Sequence, residues 1–293
     1  MQQFWTIERK MGLVAFAVLT VLNVFAWKDV WYFSSPRNLK VEVLNIGQGD
    51  SIFIQTPDMR HMIIDGGPGN AVMGKLSQRL PLWDRHFDVV VLTHPDADHL
   101  NGLLQVLKKY RVDYIVWTGI VRDGQGYQEW LSLLEKQKKM GSHIIIANKG
   151  TVINNGGVAM QILHPFENLE GQFSKATNDT GIVARLAYGK NSFLFTADIS
   201  SNVEKEFIDH GISLASDVIK VAHHGSKYSS SVEFFQAAKP KLATISVGAS
   251  NTYGHPTPEV LQRLADFGIT TMRTDRDGDI TITSNGNTIS VAK

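Results

Sequence analysis

The 293-residue sequence contains no cysteine, which excludes disulfides, thiolate zinc sites and a Cys nucleophile. That absence is compatible with a location outside the cytoplasm and does not require it. Charge of one sign is lacking too: 29 Lys+Arg stand against 28 Asp+Glu, a formal net charge of +1. Nucleic-acid binding therefore needs a local basic patch. Apolar runs long enough for a membrane do not recur, which excludes a multi-span transporter, and no solenoid-length repeat is present. What is there is 43% hydrophobic and only 19% charged, ample for a large core and inconsistent with disorder.

One apolar run does occur, Met11 to Trp27, interrupted by Thr20 and Asn23 and preceded by Arg9-Lys10. At about 1.5 Å per residue it spans roughly 25 Å, the lower end of what crosses a bilayer. Trp27, Trp31, Tyr32 and Phe33 follow where an aromatic belt lies at a membrane–water interface. A transmembrane or signal-anchor helix is preferred over a cleaved signal peptide ending near Val24-Phe25-Ala26 and over a buried helix. The expected organisation is a tail (1–10), an anchor with its aromatic interface (11–33), a linker (34–38) and one large domain (39–293). Basic residues flank the run on both sides, so orientation rests on the short basic tail, which places the large domain outside the cytoplasm.

From Leu39 onward, strands and helices alternate. β-rich runs at 41–46 and 51–55 flank Gly47-Gln48-Gly49-Asp50, a hairpin signal. Met62-Ile63-Ile64 ends at Asp65-Gly66-Gly67, and Val89–Leu92 reads as a fully buried strand followed by an apolar helix from about Leu100. Further helices are expected over 128–140, 201–210, 232–239 and 258–267, the last with Thr257 and Pro258 at its start. Further strands fit 158–163, 182–188, 192–196, 218–222, 242–247 and 280–283. Polar residues gather at strand carboxyl ends in each half. Two mixed sheets sandwiched by helices, with a site at the sheet rims, satisfy this pattern. Asp275-Arg276-Asp277-Gly278-Asp279 has its Gly misplaced for a calcium loop and is read as a β-turn.

The strongest chemical signal is Thr93-His94-Pro95-Asp96-Ala97-Asp98-His99-Leu100-Asn101-Gly102. Four potential metal ligands fall within six residues, directly after a buried strand whose end sits at a sheet rim. Imidazole and carboxylate together suit divalent metals, and four such groups can serve two ions. A solvated loop with Asp98 as helix cap is the bland alternative; two histidines interleaved with two aspartates after Val-Val-Val-Leu argue against it. His94-x-Asp96-x-Asp98-His99 resembles the H-x-[HD]-x-D-H signature of the metallo-β-lactamase superfamily. Taken with Asn45-Ile46-Gly47-Gln48-Gly49-Asp50-Ser51 and Val221-Ala222-His223-His224-Gly225-Ser226, the chain more closely resembles the hydrolase domain of ComEC-type DNA-uptake proteins, from about Leu39 to the C-terminus. Asn45 departs from the Asp that often opens such domains, Ala197 stands where Gly is usual, and the multi-span channel of full-length ComEC-type proteins is not in this sequence.

The resemblance implies an αββα four-layer sandwich over 39–293 and two divalent ions. His94 and Asp96 with Asp198 would hold one ion, and Asp98, His99 and His223 with Asp198 the other, Asp198 bridging. Asp65 would support the site without binding metal. The family's third-motif His is replaced by Asn178-Asp179-Thr180, where Asp179 ranks ahead of Asn178 or water, and His164 comes too early in the order. Asp96 in place of a His hardens the first position and favours Mn²⁺, with Zn²⁺ also possible. His224 points away from the metal if strand alternation persists. It joins Asp98 and His255 as a catalytic candidate, for phosphate contact or proton donation. Lys220, Ser226 and Lys227, with Lys239 and Lys241, are candidate DNA contacts, a solvated basic face being an equal alternative. The expected function is a metal-dependent phosphodiester hydrolase, a DNase in or beside DNA uptake that uses a metal-activated hydroxide. Its expected partners are DNA, the membrane through the N-terminal helix, and a separate channel protein. Alternatives are hydrolysis of another extracytoplasmic phosphodiester, such as a choline-phosphate or cyclic-nucleotide ester, or non-catalytic DNA binding beside the channel.

Overall fold

The structure, a computed structural model, describes residues 11–24, 27 and 37–292. The chain divides into two units at Arg37/Asn38. In the first, residues 11–24 are helical with exposed side chains. The two polar residues of this run bond back to their own helix, Thr20 Oγ1 donating to Phe16 O (2.8 Å) and Asn23 Nδ2 to Leu19 O (3.2 Å). No helix among the described residues is long and apolar enough to cross a membrane. The expected tail (1–10), aromatic interface (28–33) and most of the linker lie outside the described residues.

The second unit is built on two sheets. In the first, β1 (Leu39–Val43), β2 (Ile52–Gln55) and β3 (His61–Ile64) pair antiparallel, and β4 (His86–Val91), β5 (Arg111–Trp117) and β6 (His143–Ile146) extend it in parallel. The second sheet runs antiparallel through β7 (Val152–Asn155), β8 (Val158–His164), β9 (Val183–Tyr188) and β10 (Asn191–Phe195). It then continues in parallel through β11 (Val218–Lys220), β12 (Leu242–Ile245) and β13 (Thr270–Arg273). Parallel neighbours need crossovers. The helices Ala71–Ser77, Ala97–Lys109 and Gln125–Lys139 supply them in the first sheet, and Ser201–Asp209, Val232–Ala238 and Pro258–Asp266 in the second. The hairpin β14 (Ile280–Ser284)/β15 (Ile289–Ala292) returns to pair with β1, completing an eight-stranded and a seven-stranded sheet.

Alternation along the strands makes four layers. Ile52, Ile54, Met62, Ile64, Phe193 and Phe195 point into the core between the sheets. Phe53 and Ile63 point out to one helical layer, and Leu194 to the other. Strands covered on both faces read as continuous apolar runs, so the expected two-sheet α/β sandwich is the observed fold. All three core clusters draw on residues from Leu39 onward, and residues 38–293 thus carry a complete core of their own. The expected β-turn at 275–279 is instead a helical turn, Thr274–Asp277. Its carboxylates are used structurally: Asp275 pairs with Arg273, Asp277 accepts from Arg273 N, and Asp279 pairs with Lys75 and Arg79.

The carboxyl ends of β3, β4, β10, β11 and β12 meet at one edge of the sandwich, the edge where ligands gather in α/β sheets. There the helix Ala97–Lys109 touches the turn after β3 backbone to backbone. Gly66 N donates to His99 O (2.8 Å) and Gly102 N to Gly67 O (2.9 Å), and a Cβ on Gly102 would overlap the Gly66 carbonyl. Gly102→Ala is therefore expected to lower stability by roughly 1–3 kcal/mol. Gly74→Ala, in the helix Ala71–Ser77 with open space around it, should raise it by about 0.5–1 kcal/mol. Thermal unfolding of the two variants checks the opposite signs.

Candidate metal centre

Asp65 follows β3 and is fully buried. Its carboxylate accepts from Thr93 N (2.8 Å), Thr93 Oγ1 (2.7 Å) and His99 Nδ1 (2.8 Å). Thr93 Oγ1, its hydrogen directed to Asp65, accepts from His94 Nδ1 (3.0 Å). Across the rim, His224 Nδ1 donates to Ser246 O (2.9 Å). In all three rings the acceptor fixes the proton on Nδ1 and turns Nε2 inward. The Nε2 atoms of His94, His99 and His224 are buried with no hydrogen-bond partner. Orphaned buried nitrogens are rare, and an imidazole anchored through Nδ1 with a bare Nε2 is how histidines present themselves to metals.

Four ligand atoms, from Asp98, His99, Asp198 and His224, lie within 4.8 Å of one another. Asp198 Oδ2 is 3.3 Å from His99 Nε2 and 3.1 Å from His224 Nε2, and Asp98 Oδ2 is 3.4 Å from His224 Nε2. Two imidazoles and two carboxylates around one point fit a divalent cation. Burial is the largest influence on His99 and His224 and pushes their pKa values down, but the carboxylates together outweigh it, Asp198 and Asp65 at His99 and Asp198, Asp50 and Asp98 at His224, and both end well above the usual 6.5. Burial raises Asp98 and Asp198, but His99 and His224 hold both carboxyls below the ordinary range. His94, buried and beside His99, is lowered to about 4. Beneath the cluster sits Lys220, 1% exposed, ion-paired with Asp50 and 3.4 Å from Asp198 Oδ1. Asp50 reaches this position because Gly49, at φ +122°, lets the loop press on the Asp98 carbonyl, where a Cβ would overlap.

The structure places several sequence-assigned residues differently from expectation. It is His224, not His223, that faces Asp98, Asp198 and His99. Strand alternation does not persist, because β11 ends at Lys220 and both histidines take left-handed backbone angles (φ 49° and 54°). His223 instead lies 3.4 Å from Asn178 Nδ2, with its ring 5.6 Å from that of His255. His255 keeps a buried, unpartnered Nδ1, and burial beside His223 and His224 lowers its pKa to about 4. Asp179 is exposed and holds Ser200 through both oxygens (2.7 and 2.9 Å), so Asn178 is the member of that segment that turns to the site. His164 Nδ1 bonds Gly181 O (2.8 Å) and supports the same segment from below. Asp96 stands outside the four-ligand group and pairs with Arg122 and Thr177.

Of the expected DNA contacts, Lys220 and Ser226 are buried, and Lys220 is committed to Asp50, Asp198 and Ala197 O. Burial removes both from a surface. Lys239 and Lys241 precede the amino end of β12, at the edge opposite the cluster. Lys227 is exposed, 5.2 Å over the Tyr228 ring. Sequence reading missed Asp50 and Arg122. Asp50 stands in the quoted Asn45–Ser51 motif, a signal that was available, whereas nothing in the sequence around Arg122 pointed to Asp96.

A family profile described as the metallo-beta-lactamase superfamily matches residues 44–249. The chain is 30% identical to ComE operon protein 3 of Bacillus subtilis, over 82% of this chain and 32% of that protein. It is 30% identical to competence protein ComA of Neisseria gonorrhoeae, over 93% and 36%, and 26% identical to recombination protein 2 of Haemophilus influenzae, over 90% and 31%. It thus spans about a third of the length of these relatives. Among solved structures, the metallo-beta-lactamase fold protein YhfI from Bacillus subtilis superposes with a TM-score of 0.56 at 13% identity, covering 85% of this chain and 100% of that one. CmlA, a diiron β-hydroxylase from Streptomyces venezuelae, gives 0.50 at 15% identity, over 82% and 53%. Likeness at these identities shows the fold.

Calorimetric titration with Mn²⁺ and Zn²⁺ separates the two adjacent histidines. His224→Ala should lower affinity at least tenfold, Asp65→Asn by about 10–100-fold through loss of ring orientation, and His223→Ala little. Equal losses at His223 and His224 would overturn the placement. In the chelated protein, the raised pKa values of His99 and His224 stabilise the fold fully below the ordinary 6.5, and that contribution is lost as pH rises through the folded values. The melting temperature without metal should therefore fall from neutral to alkaline pH, while metal affinity rises over the same range as protons cease to compete.

Proposed function

The chain belongs to the metallo-β-lactamase superfamily, and from that premise we propose that it is a metal-dependent phosphodiester hydrolase cleaving DNA in or beside DNA uptake. The observation that carries this is the convergence of Asp98, His99, Asp198 and His224 on one point, with a second set of polar groups, His223, His255 and Asn178, set beside them. The first set would hold a divalent cation, and His94 and Asp96 would contribute to a second. Mn²⁺ is preferred for the carboxylate-rich set and Zn²⁺ is the alternative. Bound cations there would supply a hydroxide nucleophile near neutral pH and neutralise charge on phosphoryl oxygens.

The protein's own groups have separate tasks. Asp65 and Ser246 hold His99 and His224 in register, Lys220 keeps Asp50 ionised, and His224 and His99, with Lys220 adding, keep Asp198 ionised. His223, Asn178 and His255 face outward from the cluster as phosphate contacts; with its pKa near 4, His255 is a neutral imidazole at pH 7. The names of the competence relatives support DNA as substrate. We also propose that the 11–24 helix belongs to a membrane anchor that leaves the catalytic domain outside the cytoplasm; its polar side chains, bonded within the helix, support this.

The test is hydrolysis of single- and double-stranded DNA by residues 38–293 with Mn²⁺, Zn²⁺ or Mg²⁺. Manganese-stimulated cleavage is expected. Asp98→Ala should abolish it, and His255→Ala should reduce kcat/KM by about 10²-fold, the lower end for a group that assists proton transfer or phosphate charge. Turnover of small phosphodiesters without DNA cleavage would replace DNA with a small ester. Bound metal without turnover of either would leave a binding protein.

A further inference from the structure

The edge of the sandwich opposite the metal centre is defined by the amino ends of the parallel strands, and the segment leading into β4 stands out there. Leu82 and Trp83, just before β4, are 77% and 85% exposed, at the tip of a loop anchored by buried Leu80 on one side and by Asp84, paired with His61, on the other. Exposed cations precede the strands of this edge, Arg85 before β4, Lys109 before β5, Lys139 before β6 and, in the other sheet, Lys239 before β12, with Asp84, Asp113 and Asp217 interspersed. Helix dipoles account for lysines in the last turns of Ala97–Lys109 and Gln125–Lys139. They do not account for Lys239, which takes a left-handed backbone (φ 47°) where Gly or Asn is usual. Nor do they account for an indole and a leucine held out in water.

The direction from which the chain enters adds a second constraint. β1 is antiparallel to β2 and β2 to β3, with Lys40 beside Gln55 and Gln55 beside His61. Leu39 therefore lies at this same edge, where the chain enters the domain. We propose that this edge is a lipid-facing surface: Leu82 and Trp83 enter the interfacial region of a bilayer while the surrounding cations bind anionic headgroups. Indole at the headgroup level and a basic rim are the chemistry of interfacial attachment. DNA is the rival polyanion, since an exposed indole can also stack on a base, and the test below separates the two. The catalytic rim would then point away from the membrane. The proposal does not depend on which reaction that rim performs.

Residues 38–293, which carry their own core, test the surface without the N-terminal helix. Of the three tryptophans in that segment, Trp117 and Trp130 are buried and Trp83 is exposed, so its emission reports on the loop. Vesicles of equal parts phosphatidylglycerol and phosphatidylcholine should co-sediment the protein and shift its fluorescence to the blue; phosphatidylcholine alone should do so weakly. Trp83→Ser should abolish the shift and reduce partitioning about tenfold, and Lys139→Gln should reduce it about fivefold. Both sites are exposed, and unchanged melting temperatures confirm intact folds. No partitioning to anionic vesicles would overturn the proposal, as would a Trp83→Ser variant that partitions like the parent. An oligonucleotide producing the Trp83 shift where vesicles do not would assign the edge to DNA instead.

Discussion

The structure depends on how the catalytic rim balances its buried charge. Asp50, Asp65 and Asp198 are almost fully buried, and among the described residues the one permanent cation buried with them is Lys220. Two negative charges are left over in a setting where each unpaired ion costs several kcal/mol. Without metal, the excess is met by protonating His99 and His224, whose pKa values are accordingly driven up. A divalent cation meets it equally well and releases those protons. Metal and protons are thus alternative counter-charges at one place, which couples folding, pH and metal binding.

The fold serves that balance by bringing strand ends from two sheets to one point and then packing the loops too tightly to relax. Gly66 against Gly102, and Gly49 against the Asp98 carbonyl, leave no room for a side chain. The His/Asp loop is pinned from below by Asp65 and from the side by Asp50 N on Asp98 O (3.2 Å). The rim is not symmetric. Asp98, His99, Asp198 and His224 lack a competing basic side chain other than Lys220, whereas Asp96 already has Arg122 as its partner. A cation on the His94–Asp96 side would have to displace a guanidinium, so on the proposed reading the four-ligand set is the one favoured for the first cation on electrostatic grounds.

Much of this was legible in the sequence, where local pattern and tertiary role agree. Val89–Leu92 followed by His94, Asp96, Asp98 and His99 announces a buried strand with ligands at its end. The two-sheet sandwich follows from apolar runs separated by amphipathic helices. What was not legible depends on contacts distant in sequence or on backbone angles no pattern reports. Lys220 reads as a surface lysine until Asp50, 170 positions earlier, is seen to hold it. His223 and His224 exchange places because two non-glycine residues adopt left-handed angles. β5 was missed because its exposure pattern follows neither period, and the helix Ala71–Ser77 because Gly74 interrupts it.

A formal charge of +1 conceals a local concentration of carboxylates that bears on the proposed substrate. The catalytic rim gathers Asp50, Asp65, Asp96, Asp98 and Asp198, with exposed cations such as Lys149, Lys227 and Arg276 following strand carboxyl ends on the same side. A polyanion approaching the rim of the metal-free protein meets repulsion from carboxylates that His99 and His224 only offset. Cation loading adds net positive charge where the phosphate must sit, without moving any element of the fold. On the proposed reading, the metal therefore does more than chemistry: it sets the sign of the field that admits the substrate. Substrate affinity and metal affinity must then reinforce each other, because a phosphate bound beside the cation repays the stabilisation it receives.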